Sequence, residues 1–238
     1  MKYTEREIQS LKEEISQMWK LVLSQLEKSK LSYMTGDVEL AREIVSREKR
    51  VDAFELKIDS DCENFIALYS PVAVDLRLTL SIIKLCITLE RIADFAKGIA
   101  RHVIEDDCDR LFPQLIEELQ IEKMFDTTLS MLSDGFVVLE SENTKLAGKI
   151  LAKDVEVDEI YRKSLHILTA YLQENTAHIH CGLKTLLLIR KLERIGDHCS
   201  NLVEEIVFYV DAKVLKHCGK KKIAKLGTEN ETDFNEVN

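Results

Sequence analysis

Apolar residues recur every three or four positions along almost the whole chain, the period of a helix with one buried face. Ile8, Leu11, Ile15, Met18, Leu21, Val22 and Leu26 set the pattern, and Thr4-Glu5-Arg6-Glu7 has the form of a capping box before it. They predict a first helix over about 5–33. Thr35-Gly36-Asp37 reads as a turn, with Asp37 as the N-cap of a second helix. That helix carries Leu40, Ile44, Val45, Val51, Phe54, Ile58, Phe65 and Ile66 and ends near Ser70-Pro71. A third runs from about Val72 to Val103. Asp106 to Phe112 is a polar break, and Pro113 suits the first position of a fourth helix, whose missing N–H would have no partner anyway. The fourth helix continues through Ile116, Leu119, Met124, Leu129, Leu132 and Val137 to a break at Ser141-Glu142-Asn143. A fifth covers about 144–174. A sixth, from about Ala177, carries Leu183, Leu186, Leu187, Ile189, Leu192, Ile195, Leu202, Ile206 and Val210. No stretch alternates as a strand does.

The expected fold class is therefore all-α, with six long helices in two sets of three, each set about 100 residues. Short loops force neighbouring helices antiparallel, so the architecture is two tandem three-helix up-down bundles forming an internal repeat. Residues 1–108 form the first bundle and 109–215 the second. Residues 216–238 are a polar tail, Lys-rich at its start, without the apolar surface needed to order itself. Two prolines and eight glycines in 238 residues agree with long uninterrupted helices.

The formal charge of −9 argues against nucleic acid as a primary partner, because phosphate binding needs a basic face. It likewise disfavours an anionic membrane surface. No apolar run reaches the roughly 18–20 residues that span a bilayer, and Leu76 to Leu89 is interrupted by Arg77, Thr79, Ser81 and Lys84. The N-terminus has no signal-peptide pattern. Cys62, Cys86, Cys108, Cys181, Cys199 and Cys218 show no CxxC spacing and sit mostly in apolar patterns, as thiols do in a reducing compartment. The expectation is a soluble, cytoplasmic protein.

Candidate chemistry comes from repetition. Leu192-Glu193-Arg194-Ile195-Gly196-Asp197-His198 repeats Leu89-Glu90-Arg91-Ile92-Ala93-Asp94-Phe95, 103 residues earlier. In each, a Glu and an Asp four apart share one helix face. One such pair means little, since 42 acidic residues in 238 give roughly seven by chance. The second and fifth helices add Glu48/Asp52 and, 106 residues on, Asp154/Asp158. In an antiparallel hairpin, residues equidistant from the turn lie side by side. Glu48 and Asp94 are equidistant from Pro71, and so are Asp52 and Glu90. Asp154 with Asp197, and Asp158 with Glu193, are equidistant from Asn175-Thr176. Each bundle should then gather four carboxylates at one height, and clustered carboxylates repel unless a cation lies among them.

A metal is one answer, because hard cations take carboxylate oxygens and helical bundles build such sites. A lattice of surface ion pairs is the other, with Arg91 and Arg194 directly after the glutamates. Asn201 and Glu204 continue the Glu193/Asp197 stripe with further oxygens. The matching positions of the first repeat are Gly98 and Arg101, and a guanidinium at 101 could neutralise that cluster without a metal. Glu55 and Asp59 extend the stripe on the second helix. His178 and His180 lie far from the carboxylates, and His198 points about 100° away from them.

The sequence resembles the PhoU family of phosphate-transport and phosphate-signalling regulators. The resemblance rests on Asp75-Leu76-Arg77-Leu78, Ile83-Lys84, the two Leu-Glu-Arg-Ile-x-Asp motifs, Asn201 and Glu204-Glu205, and covers about residues 1–215. It implies iron or zinc clusters held at Glu48/Asp52, Glu90/Asp94, Asp154/Asp158 and Glu193/Asp197, though manganese, magnesium or calcium also suit oxygen ligands. It further implies a homodimeric, non-enzymatic repressor of phosphate-starvation signalling, acting between the ATPase of a phosphate ABC transporter and a sensor histidine kinase. Ala93 for the usual Gly, Gly98 for Asn and Arg101 for an acidic residue are departures from the family pattern. A ferritin-like di-metal protein is the chief alternative, but that chemistry needs Glu-x-x-His on two helices and none occurs. A metal-free helical scaffold is the other.

Overall fold

In the computed structural model, residues 2–105 and 113–215 are described, and they form helices with no strand among them. In chain order these are α1 (Lys2–Thr35), α2 (Val38–Tyr69), α3 (Ala73–Ile104), α4 (Pro113–Glu118), α5 (Ile121–Ser141), α6 (Ala147–Glu174) and α7 (Ile179–Asp211). Single 3₁₀ turns at Thr144–Leu146 and Thr176–His178 lead into α6 and α7. The Asp37 carboxylate accepts from the Leu40 amide at 2.9 Å, satisfying a donor that the start of α2 would otherwise leave open. Thr4 and Glu7, by contrast, lie inside α1 rather than capping it, because that helix begins at Lys2.

Helices α1–α3 form one bundle and α5–α7 the other, with α2 and α6 on the outside. The two bundles do not stand apart. They pack through α1 against α5 and α3 against α7, and one apolar core runs continuously from Leu11 to Leu215. Both contacts are antiparallel: Lys12 meets Glu142 while Lys30 meets Asp126, and Lys84 meets Glu205 while Phe95 meets His198. Phe95 and His198 occupy the same position in the two repeats, and their rings lie 5.7 Å apart. The pseudo-twofold axis therefore passes between them. Across α1 and α5, fully buried Trp19 donates its indole N–H to the Leu132 carbonyl at 3.0 Å. Gly135 permits that approach, since a Cβ there would stand 3.1 Å from the Trp19 ring.

The fourth predicted helix is in fact two. Gln120 adopts a left-handed conformation, φ 52°, between α4 and α5. The break closes α4 with a Leu119 N–H to Leu115 carbonyl bond and opens α5 with Met124 N–H to Gln120 carbonyl. It lets Leu115, Leu119, Ile121, Met124 and Phe125 all reach the core, which offsets the roughly 1–2 kcal/mol that a non-glycine residue spends in that region. The predicted break at Asp106–Phe112, the boundary at 108/109 and the tail at 216–238 lie outside the described residues. Cys62, Cys86 and Cys199 are buried free thiols, and burial pushes the Cys62 thiol up to about 12. No described helix is long and apolar enough to cross a membrane.

Candidate metal centre

In the second repeat α6 presents Asp154 and Asp158 one turn apart, and α7 brings Asp197 against them. One carboxylate oxygen from each of the three lies within 4.8 Å of the others. Asp154 is fully buried, and the Ser200 hydroxyl donates to its Oδ2 at 2.7 Å. The helices meet this closely because residue 196 is glycine. A Cβ on Gly196 would stand 2.9 Å from Asp154 Oδ1, a distance at which something must move. Arg194 donates to Asp197 Oδ2 at 3.2 Å from the solvent side. Glu193, one turn before Asp197, has its Oε2 buried with no hydrogen-bond partner. Its carboxyl is held above the usual range by burial first and then by Asp197 and Asp158.

This donor set fits a cation. Metal–oxygen bonds of roughly 2.0–2.6 Å let ligands on opposite sides of one ion stand about 4–5 Å apart, so three oxygens within 4.8 Å can share it. All-carboxylate ligation suits iron, manganese, magnesium or calcium, and zinc accepts it as well. An ion there would cancel the mutual repulsion and tie α6 to α7. Asn201 is exposed and Glu204 half-buried further along α7, and both lie outside the group of three aspartates.

The first repeat uses the same hairpin register with a different outcome. Lys97 lies between α2 and α3 with its ammonium ion-paired to Glu48 and, at 3.2 Å, to Asp94 Oδ1. Its side chain is only 15% exposed, less than Glu48 at 24% or Asp94 at 40%. Asp52 faces solvent. Glu90 contacts the Arg91 guanidinium at 3.5 Å, and its carboxyl is pushed up to about 7 by burial and then by Asp94. Glu55 is raised too, by burial and then Asp59, and Asp59 Oδ1 is buried with no hydrogen-bond partner. The expected neutralising group was Arg101, but that residue is exposed. Lys97 holds the place, one turn nearer the motif.

Lys97 and Ser200 are thus the residues that motif reading passed over. The signal was in the alignment of the repeats: three positions after each motif aspartate stands a lysine in one copy and a serine in the other. His198 packs on Phe95 between the bundles, and burial is the main cause that holds its pKa below the usual histidine value. His178 bonds to the Tyr171 hydroxyl at the α6–α7 turn.

The chain is similar to proteins of one family along both repeats. The PhoU domain family model matches residues 15–103 and 121–206, once in each repeat. The phosphate-specific transport system accessory protein PhoU of Edwardsiella tarda is 32% identical over 224 residues, covering 94% of this chain and 91% of that protein. The crystal structure of PhoU from Pseudomonas aeruginosa superposes with a TM-score of 0.79 at 28% identity, covering 88% of this chain and 99% of that one. The structure of the regulatory protein PhoU from Streptococcus pneumoniae gives 0.75 at 26%, covering 89% and 98%.

Proposed function

We infer the role of this chain from a plain premise: it belongs to the PhoU family, whose domain it carries twice. The reading that follows is a regulatory accessory protein of phosphate transport. The relatives named as phosphate-specific transport system accessory proteins align over nearly their whole length and this chain's. More finely, we propose a negative regulator of phosphate uptake and phosphate-starvation signalling. It works in the cytoplasm as a homodimeric adaptor between the transporter ATPase and a sensor histidine kinase. Adaptor duty needs docking faces rather than chemistry. Ile179, Leu183 and Leu187 stand exposed on successive turns of α7, an apolar stripe of the kind partner surfaces use. Analytical ultracentrifugation at micromolar concentration should give twice the chain mass, and a monomer would count against the dimer.

The observation that carries the metal part is the three-aspartate group, with the buried unpartnered oxygen of Glu193 beside it. We propose that Asp154, Asp158 and Asp197 hold the ion, with Glu193 completing the set. The ion braces the α6–α7 seam. Elemental analysis should find metal in the purified protein and none in Glu193→Ala/Asp197→Ala. No metal in wild type would leave the metal-free scaffold as the reading, and equal content in both proteins would sink the assignment of the ion to these residues. Deleting the gene should raise phosphate-starvation gene expression in phosphate-rich medium, and unchanged expression would sink the regulatory role.

A further inference from the structure

We propose that the first repeat meets its charge problem with an ammonium of its own: Lys97 closes the Glu48/Asp94 site to a metal ion. Glu48 on α2 and Asp94 on α3 are the hairpin partners equivalent to Asp154 and Asp197, so a cation between them would occupy the corresponding seam. That place is already held. The Lys97 ammonium is ion-paired to both carboxylates and is more deeply shielded than either.

A lysine is suited to this. Its charge is a compact point on a flexible stem, so it can settle between two carboxylates without the fixed fork that arginine demands. Starting one turn past Asp94, the stem reaches back along α3 to the seam. One positive charge against two negative ones leaves the site moderately anionic. A divalent ion entering it would have to share the two carboxylates with a resident cation a few ångströms away, at a repulsion that low-dielectric surroundings strengthen. The alternative is to drive Lys97 out and lose both ion pairs. Near this pair Asp52 faces solvent and Glu90 contacts Arg91, and Glu55 and Asp59 stand two and three turns beyond Glu48 on α2.

The second repeat shows what the lock displaced. At the position of Lys97 it has Ser200, which brings a hydroxyl and no charge to Asp154. Position 93, equivalent to Gly196, carries Ala93, which is only 2% exposed. In the second repeat glycine is what lets the helix close on the short, buried Asp154. The first repeat has a longer Glu48 here, and with it a Cβ at 93. Of the three differences, at 48, 93 and 97, only Lys97 puts a charge in the seam; the longer Glu48 and the Ala93 methyl adjust its width.

The inference goes beyond the metal reading of the second repeat and stands or falls separately from it. The test is manganese(II) binding to the full chain, read as the loss of free-ion electron paramagnetic resonance signal, for wild type, Lys97→Ser, Ser200→Lys and Asp154→Asn/Asp197→Asn. Lys97→Ser should bind one more ion per chain than wild type. Ser200→Lys should bind one fewer, the lock having been transplanted. The double asparagine variant should also bind one fewer. Circular dichroism separates a misfolded variant from a locked one, and the two reciprocal lysine swaps do not share a folding risk. Should wild type bind nothing while Lys97→Ser binds one ion, the second-repeat metal reading fails and the lock stands. Equal stoichiometry in Lys97→Ser and wild type overturns the lock.

Discussion

The two carboxylate seams of this molecule have one backbone plan and two solutions to the same charge problem. Both gather acidic residues from the outer and inner helices of a hairpin at equal distances from its turn. In the α2–α3 seam the repulsion is relieved by a side chain, Lys97, held between Glu48 and Asp94. In the α6–α7 seam Asp154 is fully buried against glycine backbone, and the Ser200 hydroxyl donates to it. Register survives duplication because the shared apolar core fixes it, and a one-residue slip would swing each apolar stripe about 100° off the core. Charge compensation depends on one residue per site, so a single substitution can change it. Homologous repeats can thus keep their geometry and part in their chemistry.

The sharpest way to break this contrast is to remove each compensating group in turn. Lys97→Met should destabilise the protein by about 2–3 kcal/mol, since it strands two partly buried carboxylates. Ser200→Ala should cost only about 1 kcal/mol, the worth of one hydrogen bond. Urea unfolding of the metal-free protein measures both, and equal costs would erase the distinction. Next in size is the pair of swaps at the close approach. Gly196→Ala should cost about 2 kcal/mol, as overpacking does, because its Cβ meets Asp154 Oδ1 at 2.9 Å. Ala93→Gly should cost about 1 kcal/mol through helix propensity alone. If Gly196→Ala is neutral, the glycine is not what lets α7 approach Asp154.

A more gradual effect is a pH dependence. Burial, then Asp94, lift the Glu90 carboxyl from its ordinary 4.5 to about 7. An acid raised in the folded state holds its proton more tightly there than when unfolded. Stability is therefore full below the ordinary value and falls as pH climbs through the folded one. Between pH 5 and 8 the metal-free protein should lose about 1–2 kcal/mol at this group, less than the full shift implies because solvent still reaches it. Glu90→Gln should flatten that slope in thermal melts across the range. Glu193, raised in the same direction, gives the second repeat the same sign of dependence.

Much of this was legible in the chain. The 3.6-residue period located the helices, Asp37 named itself as a cap, and equidistance from the turns paired Glu48 with Asp94 and Asp154 with Asp197. These are local or arithmetic properties, and helical geometry converts them directly into position. The kink at Gln120 was not legible, because glutamine carries no preference for the left-handed region. That conformation is selected only by the buried positions of Leu119 and Ile121 on either side. Nor could a single pattern of charges say which cation would reach Glu48. Arg101 and Lys97 lie one turn apart on α3, and both are long enough. Packing decided it, leaving one exposed and drawing the other into the seam.

The sequence by itself determined an all-helical chain with a duplicated acidic register, because periodicity and spacing act within a helix or a hairpin. Only the tertiary structure decided that the two bundles share one core along α1–α5 and α3–α7. It alone separated a lysine-filled seam from one closed on glycine, because burial and approach distance arise when helices from distant parts of the chain compete for the same space.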